Sequence, residues 1–364
     1  MKKLVTWTLA CCMTAGVLAA CGNGGGETTK SGETAAASTE AKAESKAEKE
    51  PEGEQIVVAT VVKAIGSNWF DSMDWEGTAW AEENQAEHHY IGPTSMDSAA
   101  QLQCISDAIA LQPDILTVVP IAADACDALL KQAQDQGTLV VTHEGTGLLN
   151  NDYNVDAFDN NSFGENFARK AAELLGEDCK YACMVGTLTT PAHMAWSEAF
   201  YKYANENYSD MVCANDISDG GIMPLEGGAN ADTAYSVTKQ FLQANPDLDV
   251  FYVCSSSNVT GVARAIEELG MADSVKVLAV GTASGQKSYY ESGTIIYGAF
   301  WYPGAAQYAC YEVGKRVISG EGIKTGDDLG IDGYHDITVD GKNIYGSAWL
   351  DVTLENLEEM CNIL

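Results

Sequence analysis

Basic residues are scarce in this chain. Its 364 residues include 20 Lys and Arg against 52 Asp and Glu, which gives a formal net charge of −32 at pH 7. A surface this acidic repels nucleic-acid phosphates and anionic lipid headgroups. The composition therefore argues against nucleic acid and anionic membrane surfaces as partners, and it favours solubility.

Motifs of nucleotide-binding and hydrolytic enzymes are missing as well. The sequence has no GxxxxGK[ST] and no GxSxG, and its glycine cluster "GNGGGE" follows no strand pattern. His88 and His89 are adjacent, and neighbouring side chains on a helix point about 100° apart, so they do not form the i, i+4 pair of a zinc site. His143 and Glu144 suggest an acid–base pair, but no nucleophile accompanies them. We predict no enzymatic activity, no cofactor and no metal.

Cysteine pairs with metal-binding spacing are also absent. Of 11 cysteines, three belong to the N-terminal 21 residues, and the other eight lie mostly in apolar helix or strand patterns. The pair in "CKYAC" at 179–183 is separated by three residues rather than two. We interpret these eight as unpaired, small apolar core residues, which in an exported protein indicates a reducing or anoxic setting. Disulfide bonds are the alternative.

The N-terminal sequence predicts export. In "MKKLVTWTLACCMTAGVLAAC", two lysines precede an apolar stretch that is too short for an ordinary membrane-spanning helix. The ending "LAAC" resembles a bacterial lipobox, so residues 1–21 are expected to be a lipoprotein signal peptide with Cys21 as the acylated residue. A short membrane anchor and an ordinary cleaved signal are the alternatives.

Residues 22–54 contain no large apolar side chain. Such a segment buries too little surface to offset the entropy lost on ordering, so we predict a disordered tether. A tether behind an acylated cysteine implies a folded domain held at the extracytoplasmic face of the cell membrane.

From residue 55 onward, apolar strands alternate with helical patterns. The stretches "EQIVVATVV", "DILTVVP", "TLVVT", "DVFYVCS" and "VKVLAVG" are strands, and a helix follows each of them except "TLVVT", after which comes a strand near 154–158. Strict alternation predicts parallel sheets with helices on both faces, and about eleven strands favour two domains over one. The expected fold is α/β, with two doubly wound lobes. The N-terminal lobe is assigned to 55–158 plus 303–322, and the C-terminal lobe to 159–302 plus 323–364.

Polar and aromatic side chains follow many of these strands. In open α/β sheets, ligands bind at the carboxyl ends of strands. Rings stack on the apolar faces of a sugar, and carboxylates and amides take its hydroxyls. Capping of helices is the alternative for Asp124, Asp159 and Ser284. The predicted ligand-binding residues are Lys63, Asn68, Trp69, Phe70, Asp124, Glu144, Asp159, Asn160, His193, Ser256, Thr282 and Trp301.

Three stretches resemble a known family. They are Lys63 after the first strand, "GPT" at 92–94 leading into a helix with "QLQ", and "YYESGTIIYGAFWYPGAAQYACYEVGKRVISGEGI". Together with the ending "LDVTLENLEEM", they are similar to the type I periplasmic sugar-binding proteins, the solute receptors of ABC importers. The branch that binds rhamnose and autoinducer-2 is the most similar. The resemblance covers residues 55–364.

Some site residues follow from this resemblance. Lys63 matches a ligand-binding lysine of autoinducer-2 receptors. Glu144 matches a ligand-binding Asp, lengthened by one methylene, and "DNNSFG" at 159–164 matches an Asp-Asn segment near the hinge.

The chain also departs from autoinducer-2 receptors. Ala192 and His193 replace an Asp-Gln pair, Cys254 and Ser256 replace a Pro and an Ala, and Thr282 replaces an Asp common in sugar receptors. These departures favour a monosaccharide or related polyol over autoinducer-2.

The resemblance also implies a mechanism. Two lobes joined by three chain crossings close around one ligand, and a membrane permease of an ABC importer receives it. We expect a monomer. The alternatives are an autoinducer-2-type receptor and a sugar sensor that feeds a membrane signalling kinase.

Overall fold

The computed structural model describes residues 55–217, 220–228 and 230–364. The predicted signal peptide, the predicted lipidation at Cys21 and the predicted tether lie outside the described residues. Within them, strands and helices alternate from the first strand to the last long helix, except that β5 follows β4 and β8 follows β7 without a helix between them.

The strands are short, and most carry continuous apolar runs. Their bounds are β1 (Val57–Val61), β2 (Glu87–Ile91), β3 (Ile115–Val118), β4 (Leu139–Thr142), β5 (Tyr153–Asp156), β6 (Lys180–Val185), β7 (Val212–Cys213), β8 (Leu225–Glu226), β9 (Val250–Val253), β10 (Lys276–Val280), β11 (Ile295–Trp301), β12 (Thr338–Asp340), β13 (Asn343–Tyr345) and β14 (Trp349–Val352).

The helices fill the connections between strands. Their bounds are α1 (Asn68–Asn84), α2 (Ser98–Ala110), α3 (Ala123–Asp135), α4 (Asn160–Leu175), α5 (Pro191–Asn207), α6 (Ala231–Ala244), α7 (Ser256–Glu268), α8 (Ala283–Glu291), α9 (Pro303–Ile318) and α10 (Leu357–Met360). Among the residues with described structure, no helix has the length and apolar character needed to cross a bilayer.

The strands form two sheets. The first has the order β12-β13-β5-β4-β3-β1-β2, and the second has the order β14-β11-β10-β9-β6-β7, with β8 also paired to β6. Pairing is parallel except where β12 joins β13 and β14 joins β11. Every residue of β3 and of β9 is buried, which is typical of parallel strands covered by helices on both faces. The predicted two-lobed α/β fold is confirmed.

The chain passes between the two sheets three times. It leaves the first sheet between β5 and α4, returns between β11 and α9, and leaves again between β13 and β14. Two of these passages run side by side, because the backbone N–H of Gly346 donates to Asp156 O at 3.0 Å and that of Ala348 donates to Ala157 O at 2.9 Å.

One boundary differs from the sequence assignment. Residues 323–364 were assigned to the C-terminal lobe, yet β12 and β13 lie in the first sheet, where β13 pairs with β5. β14 alone of these three strands joins the second sheet. The two strands form a hairpin about Asp340 and Gly341, and Gly341 has φ +61°. An Asp-Gly turn between short apolar runs is a hairpin signal, which the sequence assignment overlooked.

His88 and His89 lie on β2 rather than on a helix. His88 is nearly buried, with Nδ1 2.9 Å from Tyr311 Oη and Nε2 3.0 Å from Asp74 Oδ1. The helix ends at Asn84, and Gln85 follows with φ +54°. His88 therefore joins α1 and α9 to the sheet edge.

The eight cysteines of the described residues are all unpaired. Five are buried and three are partly exposed. Cys183 and Cys254 lie fully buried in the second sheet region, and burial raises the pKa of both thiols. They pack as small apolar side chains, in agreement with the interpretation from the sequence.

Helices α6 and α7 pack closely at a glycine, and this contact generates the first prediction. A Cβ at Gly261 would lie 2.0 Å from Ala231 O, whereas a Cβ at Gly285 on α8 would meet its nearest neighbour, Thr282 Oγ1, at 3.5 Å. We expect Gly261→Ala to lower the free energy of unfolding by about 1–3 kcal/mol because the helices must separate.

Gly285→Ala is the matched control. It should raise stability by about 0.5–1 kcal/mol because alanine loses less backbone entropy in a helix. Urea unfolding midpoints measure both changes, and equal midpoints for the two variants would contradict the packing argument.

Candidate ligand-binding cleft

A cavity of about 910 Å³ lies between the two sheets. The first sheet contributes the ends of β1, β3 and β4, and the second contributes the start of α5 and the end of β11. The passage from β5 to α4 also lines it, through Asp156, Ala157, Phe158 and Asn160. The cavity therefore occupies the carboxyl ends of strands, where open α/β sheets bind ligands.

The first-sheet wall carries an ion pair. Lys63 follows β1, Glu144 follows β4, and Lys63 Nζ donates to Glu144 Oε2. Both side chains are partly exposed to the cavity, at 21% and 29%. The pair leaves Glu144 Oε1 and the remaining protons of the ammonium group for other partners.

Glu144 has an unusual backbone conformation. Its φ is +57°, in the left-handed region that few residues other than glycine adopt. Its N–H donates to Asp156 Oδ1 at 2.9 Å, while Asp156 Oδ2 accepts from Asn154 Nδ2 at 2.8 Å and Thr146 Oγ1 at 2.9 Å. These bonds hold the carboxylate of Glu144 at the cavity.

Glu144 remains ionised despite its surroundings. Burial raises its pKa, but the charges of Lys63, His143 and His193 and the hydrogen bond from Lys63 outweigh burial and lower the pKa to about 2. The wall therefore presents the ionised carboxylate of Glu144 beside the side chain of Lys63.

His143 also lines this wall, although the sequence analysis named it only as part of an acid–base pair. The side chain is 2% exposed, and Nδ1 donates to Val155 O at 2.7 Å. In the neutral ring, Nε2 is then an acceptor; it has no hydrogen-bond partner and lies 3.8 Å from Glu144 Oε1. The carbonyl of Val155 therefore fixes the orientation of the ring that packs behind Glu144.

The second-sheet wall is built mainly by the start of α5. Pro191 occupies the first turn, where its missing N–H costs no hydrogen bond, and His193 and Trp196 follow toward the cavity. His193 Nδ1 accepts from the N–H of Gly186 at 3.3 Å, so the neutral ring carries its proton on Nε2. Burial lowers the pKa of His193 to about 4; Glu144 raises it and Lys63 lowers it.

Aromatic rings close one end of the cavity. Trp301, at the end of β11, lies edge-to-face with Trp69 at 5.0 Å and with Phe158 at 5.4 Å between ring centroids. Trp196 donates from Nε1 to Asn160 Oδ1 at 2.6 Å. Trp69 belongs to α1 of the first lobe, so these rings join both lobes beside the chain passages.

Six of the twelve predicted site residues line the cavity. They share positions at strand ends or in the first turn of the following helix. These six are Lys63, Asp124, Glu144, Asn160, His193 and Trp301. Their contact with a ligand stays a prediction.

The other six lie elsewhere. Trp69 packs on Trp301, Phe70 is buried against Val62, Met73 and Val119, and Asp159 caps α4 by accepting from the N–H of Ser162 at 2.9 Å. The remaining three are partly or fully exposed outside the cavity lining, namely Asn68, Ser256 and Thr282.

Comparison with known proteins identifies the family. A family model described as a periplasmic binding protein domain matches residues 58–322. The chain belongs to this family. Its relatives include type I sugar-binding proteins of ABC transporters, so the resemblance stated from the sequence is confirmed. Members of this family bind solutes rather than act as enzymes.

Three relatives illustrate the similarity. The D-ribose/D-allose-binding protein of Pseudomonas aeruginosa is 21% identical over 247 residues, which cover 66% of this chain and 75% of that protein. An ABC transporter solute binding protein from Clostridium phytofermentas, solved with bound L-rhamnose, gives a TM-score of 0.68 at 18% identity and covers 85% of this chain and 99% of its own. LsrB from Clostridium saccharobutylicum in complex with AI-2 gives 0.67 at 18%, covering 84% and 99%. These structural similarities establish the fold.

The electrostatics of the cleft generate a prediction about His193. Lys63→Met removes a nearby positive charge, so the pKa of His193 should rise above about 4. Glu144→Gln removes a nearby negative charge, so the pKa should fall below about 4. Ring-proton NMR titrations measure both shifts.

His335 is the internal control because it lies on the surface with Asp328 and Asp332, which raise its pKa. Its titration should be the same in all three proteins. Shifts of the same sign in the two variants would show that the charges of Lys63 and Glu144 do not act on His193 as their positions imply.

Proposed function

We propose that this protein captures an uncharged monosaccharide or related polyol in the cleft and delivers it to the permease of an ABC importer. The observation that carries the proposal is a cavity between two sheets, with the Lys63–Glu144 ion pair on one wall and tryptophan rings on the other. Membership of the sugar-binding periplasmic family supports it.

The two walls suit a sugar for different reasons. A carboxylate accepts forked hydrogen bonds from hydroxyls and an ammonium group donates to their oxygens, so Glu144 and Lys63 serve both roles of a hydroxyl. The partly exposed ring of Trp301 covers a C–H face of a sugar.

The charge of the lining favours an uncharged ligand. Three carboxylates, those of Asp124, Glu144 and Asp156, face one ammonium group, that of Lys63. A sugar acid or sugar phosphate would add a further negative charge where low dielectric strengthens repulsion. Uncharged sugars avoid this cost.

Transport requires the cleft to close and open. Contacts from both walls favour the closed state, and this difference in contacts is what drives closure. The permease then recognises the closed form. We propose that acylated Cys21 and the tether of residues 22–54 keep the receptor near that permease.

A receptor for autoinducer-2 is the second candidate. The Lys63–Glu144 pair supports it, because both residues match ligand-binding positions in the resemblance drawn above. The alanine at position 192 disfavours it, since an acidic residue is expected there.

A thermal-shift screen tests the proposed function. The panel contains pentoses, hexoses and deoxyhexoses, with autoinducer-2, a uronic acid, a sugar phosphate, amino acids and peptides as separate arms. Uncharged sugars should raise Tm, because a ligand that binds only the folded state stabilises it by about 2.7 kcal/mol at 100 times Kd. The charged sugars should give no shift. A shift with amino acids or peptides alone would contradict the proposal.

The ion pair should contribute to binding of the sugar selected by that screen. Lys63→Met and Glu144→Gln should each weaken binding by about 1–3 kcal/mol, because each loses a charge-assisted hydrogen bond. The double variant should cost less than the sum, since neither charge is then left unpaired. Isothermal titration calorimetry measures the affinities.

Lys324→Met and Glu355→Gln repeat the same changes at exposed positions outside the cavity. They should bind as tightly as the unmodified protein. Full affinity in Lys63→Met would remove this lysine from the ligand site.

A further inference from the structure

A short turn after β4 forms part of the charged wall. Its two central residues, Thr146 and Gly147, line the cavity. The N–H of Leu148 donates to Gly145 O at 3.2 Å and closes the turn. Residues 145–148 are called the wall turn below.

The backbone directly after the wall turn is held by two charged side chains. Lys342 Nζ donates to the carbonyl oxygens of Leu148 and Leu149, the second at 3.3 Å. Asp127 Oδ1 accepts from the N–H groups of Leu149 and Asn150 at 3.0 and 2.9 Å. Both peptide groups that flank Leu149 therefore have their N–H and their C=O bonded to side chains of opposite charge. Lys342 and Asp127 are called the clamp below.

The two residues of the clamp come from elements that are distant in sequence. Asp127 lies on α3, one helical turn after Asp124. Lys342 lies in the β12–β13 hairpin, where its carbonyl accepts from the N–H of Asn154 at 2.8 Å. Both side chains are partly buried, and neither belongs to the cavity lining. Any effect of the clamp on a ligand in the cavity must therefore act through the wall turn.

The clamp is stronger than a surface loop requires. Exposed backbone groups can bond to water, and holding a loop in one conformation costs entropy. Leu149 is 82% exposed, so burial of its side chain does not offset this cost. Hydrogen bonds to charged groups are about twice as strong as those between neutral groups, and here four of them act on two peptide groups. They fix the backbone at the far end of the wall turn.

We infer that Lys342 and Asp127 are positioning residues, which hold the wall turn at the cavity before a sugar arrives. This inference rests on the proposed function and extends its binding site to two residues outside the cavity. The near end of the wall turn, next to Glu144, is bonded to β5, because the N–H of Gly145 donates to Asn154 Oδ1 at 2.8 Å. The clamp supplies the far end. A wall that is already in place does not have to be ordered when the sugar binds.

Amide exchange in the unliganded protein tests the positioning. Lys342→Met and Asp127→Ala each remove one side of the clamp, and α3 should persist in the second variant because alanine is a strong helix former. The informative amides are those of Gly145 and Leu148, because neither bonds directly to the clamp. NMR should show that both exchange about tenfold faster in each variant.

Matched controls accompany these two variants. Lys324→Met and Asp135→Ala make the same changes at exposed positions outside the clamp and should leave both exchange rates unchanged. Lys342→Arg should restore the rates of the unmodified protein, because a guanidinium group can donate to the same carbonyl oxygens.

Affinity measurements test the consequence for binding. D-ribose, D-galactose and L-rhamnose serve as probes in calorimetric titrations. Any of them that binds should bind about three- to tenfold more weakly to Lys342→Met and to Asp127→Ala, because a smaller fraction of the protein then has the wall turn in place. Gly261→Ala disturbs the packing of α6 and α7 instead and should bind as tightly as the unmodified protein. It separates positioning from a loss of stability.

The outcomes separate the inference from the proposed function. Unchanged exchange of Gly145 and Leu148 in Lys342→Met overturns the inference. Unchanged affinity of that variant for a sugar that binds also overturns it, as does an equal loss of affinity in Gly261→Ala. These results leave the proposed function standing. Absence of binding by every sugar of the thermal-shift screen overturns the proposed function, and the exchange rates alone then decide whether the clamp positions the wall turn.

Discussion

The cleft depends on an ion pair that spans a strand. In the first sheet, β3 lies between β1 and β4, so Lys63 and Glu144 follow strands about 10 Å apart. Two long side chains bridge this separation, and the additional methylene of glutamate over aspartate contributes to that reach. The left-handed backbone of Glu144, held by Asp156, directs the carboxylate across β3 toward the lysine. Hydrogen bonds with the neighbouring strand thus offset the backbone strain at Glu144.

The same network ties the charged wall to the passages between the sheets. Asp156 ends β5, accepts from Glu144 and Thr146 through its side chain, and accepts from the N–H of Gly346 through its carbonyl. Its neighbours Ala157 and Phe158 lie at the passage into α4, and Phe158 packs on Trp301 at the next passage. Asp156 therefore links the charged wall directly to the chain passages between the sheets.

Apolar periodicity was enough to predict the α/β fold, and strand ends were enough to select Lys63, Glu144, His193 and Trp301, which line the cavity. The prediction from strand ends failed where position along the chain does not determine the direction in which a side chain points. Phe70 follows a strand end but lies on the core side of α1. Ser256 and Thr282 follow β9 and β10 but lie outside the cavity lining. The neighbouring Asn258 donates to the carbonyls of Gly227 and Gly228 instead of facing the cavity. His143 was missed as a wall residue because its orientation depends on Val155 O, a contact between adjacent strands.

The two walls of the cavity differ in the charge of their side chains. At His193, Glu144 and Lys63 act in opposite directions, so their effects partly cancel and burial decides the ionisation of the ring. The histidine is then neutral, and the lysine and acidic side chains that line the cavity belong to the first-sheet side, namely Lys63, Asp124, Glu144 and Asp156. A ligand with one polar edge has a single favourable orientation in such a cleft, because reversal would place its hydroxyls on alanine and tryptophan. In the proposed function, this contrast between the walls orients the sugar.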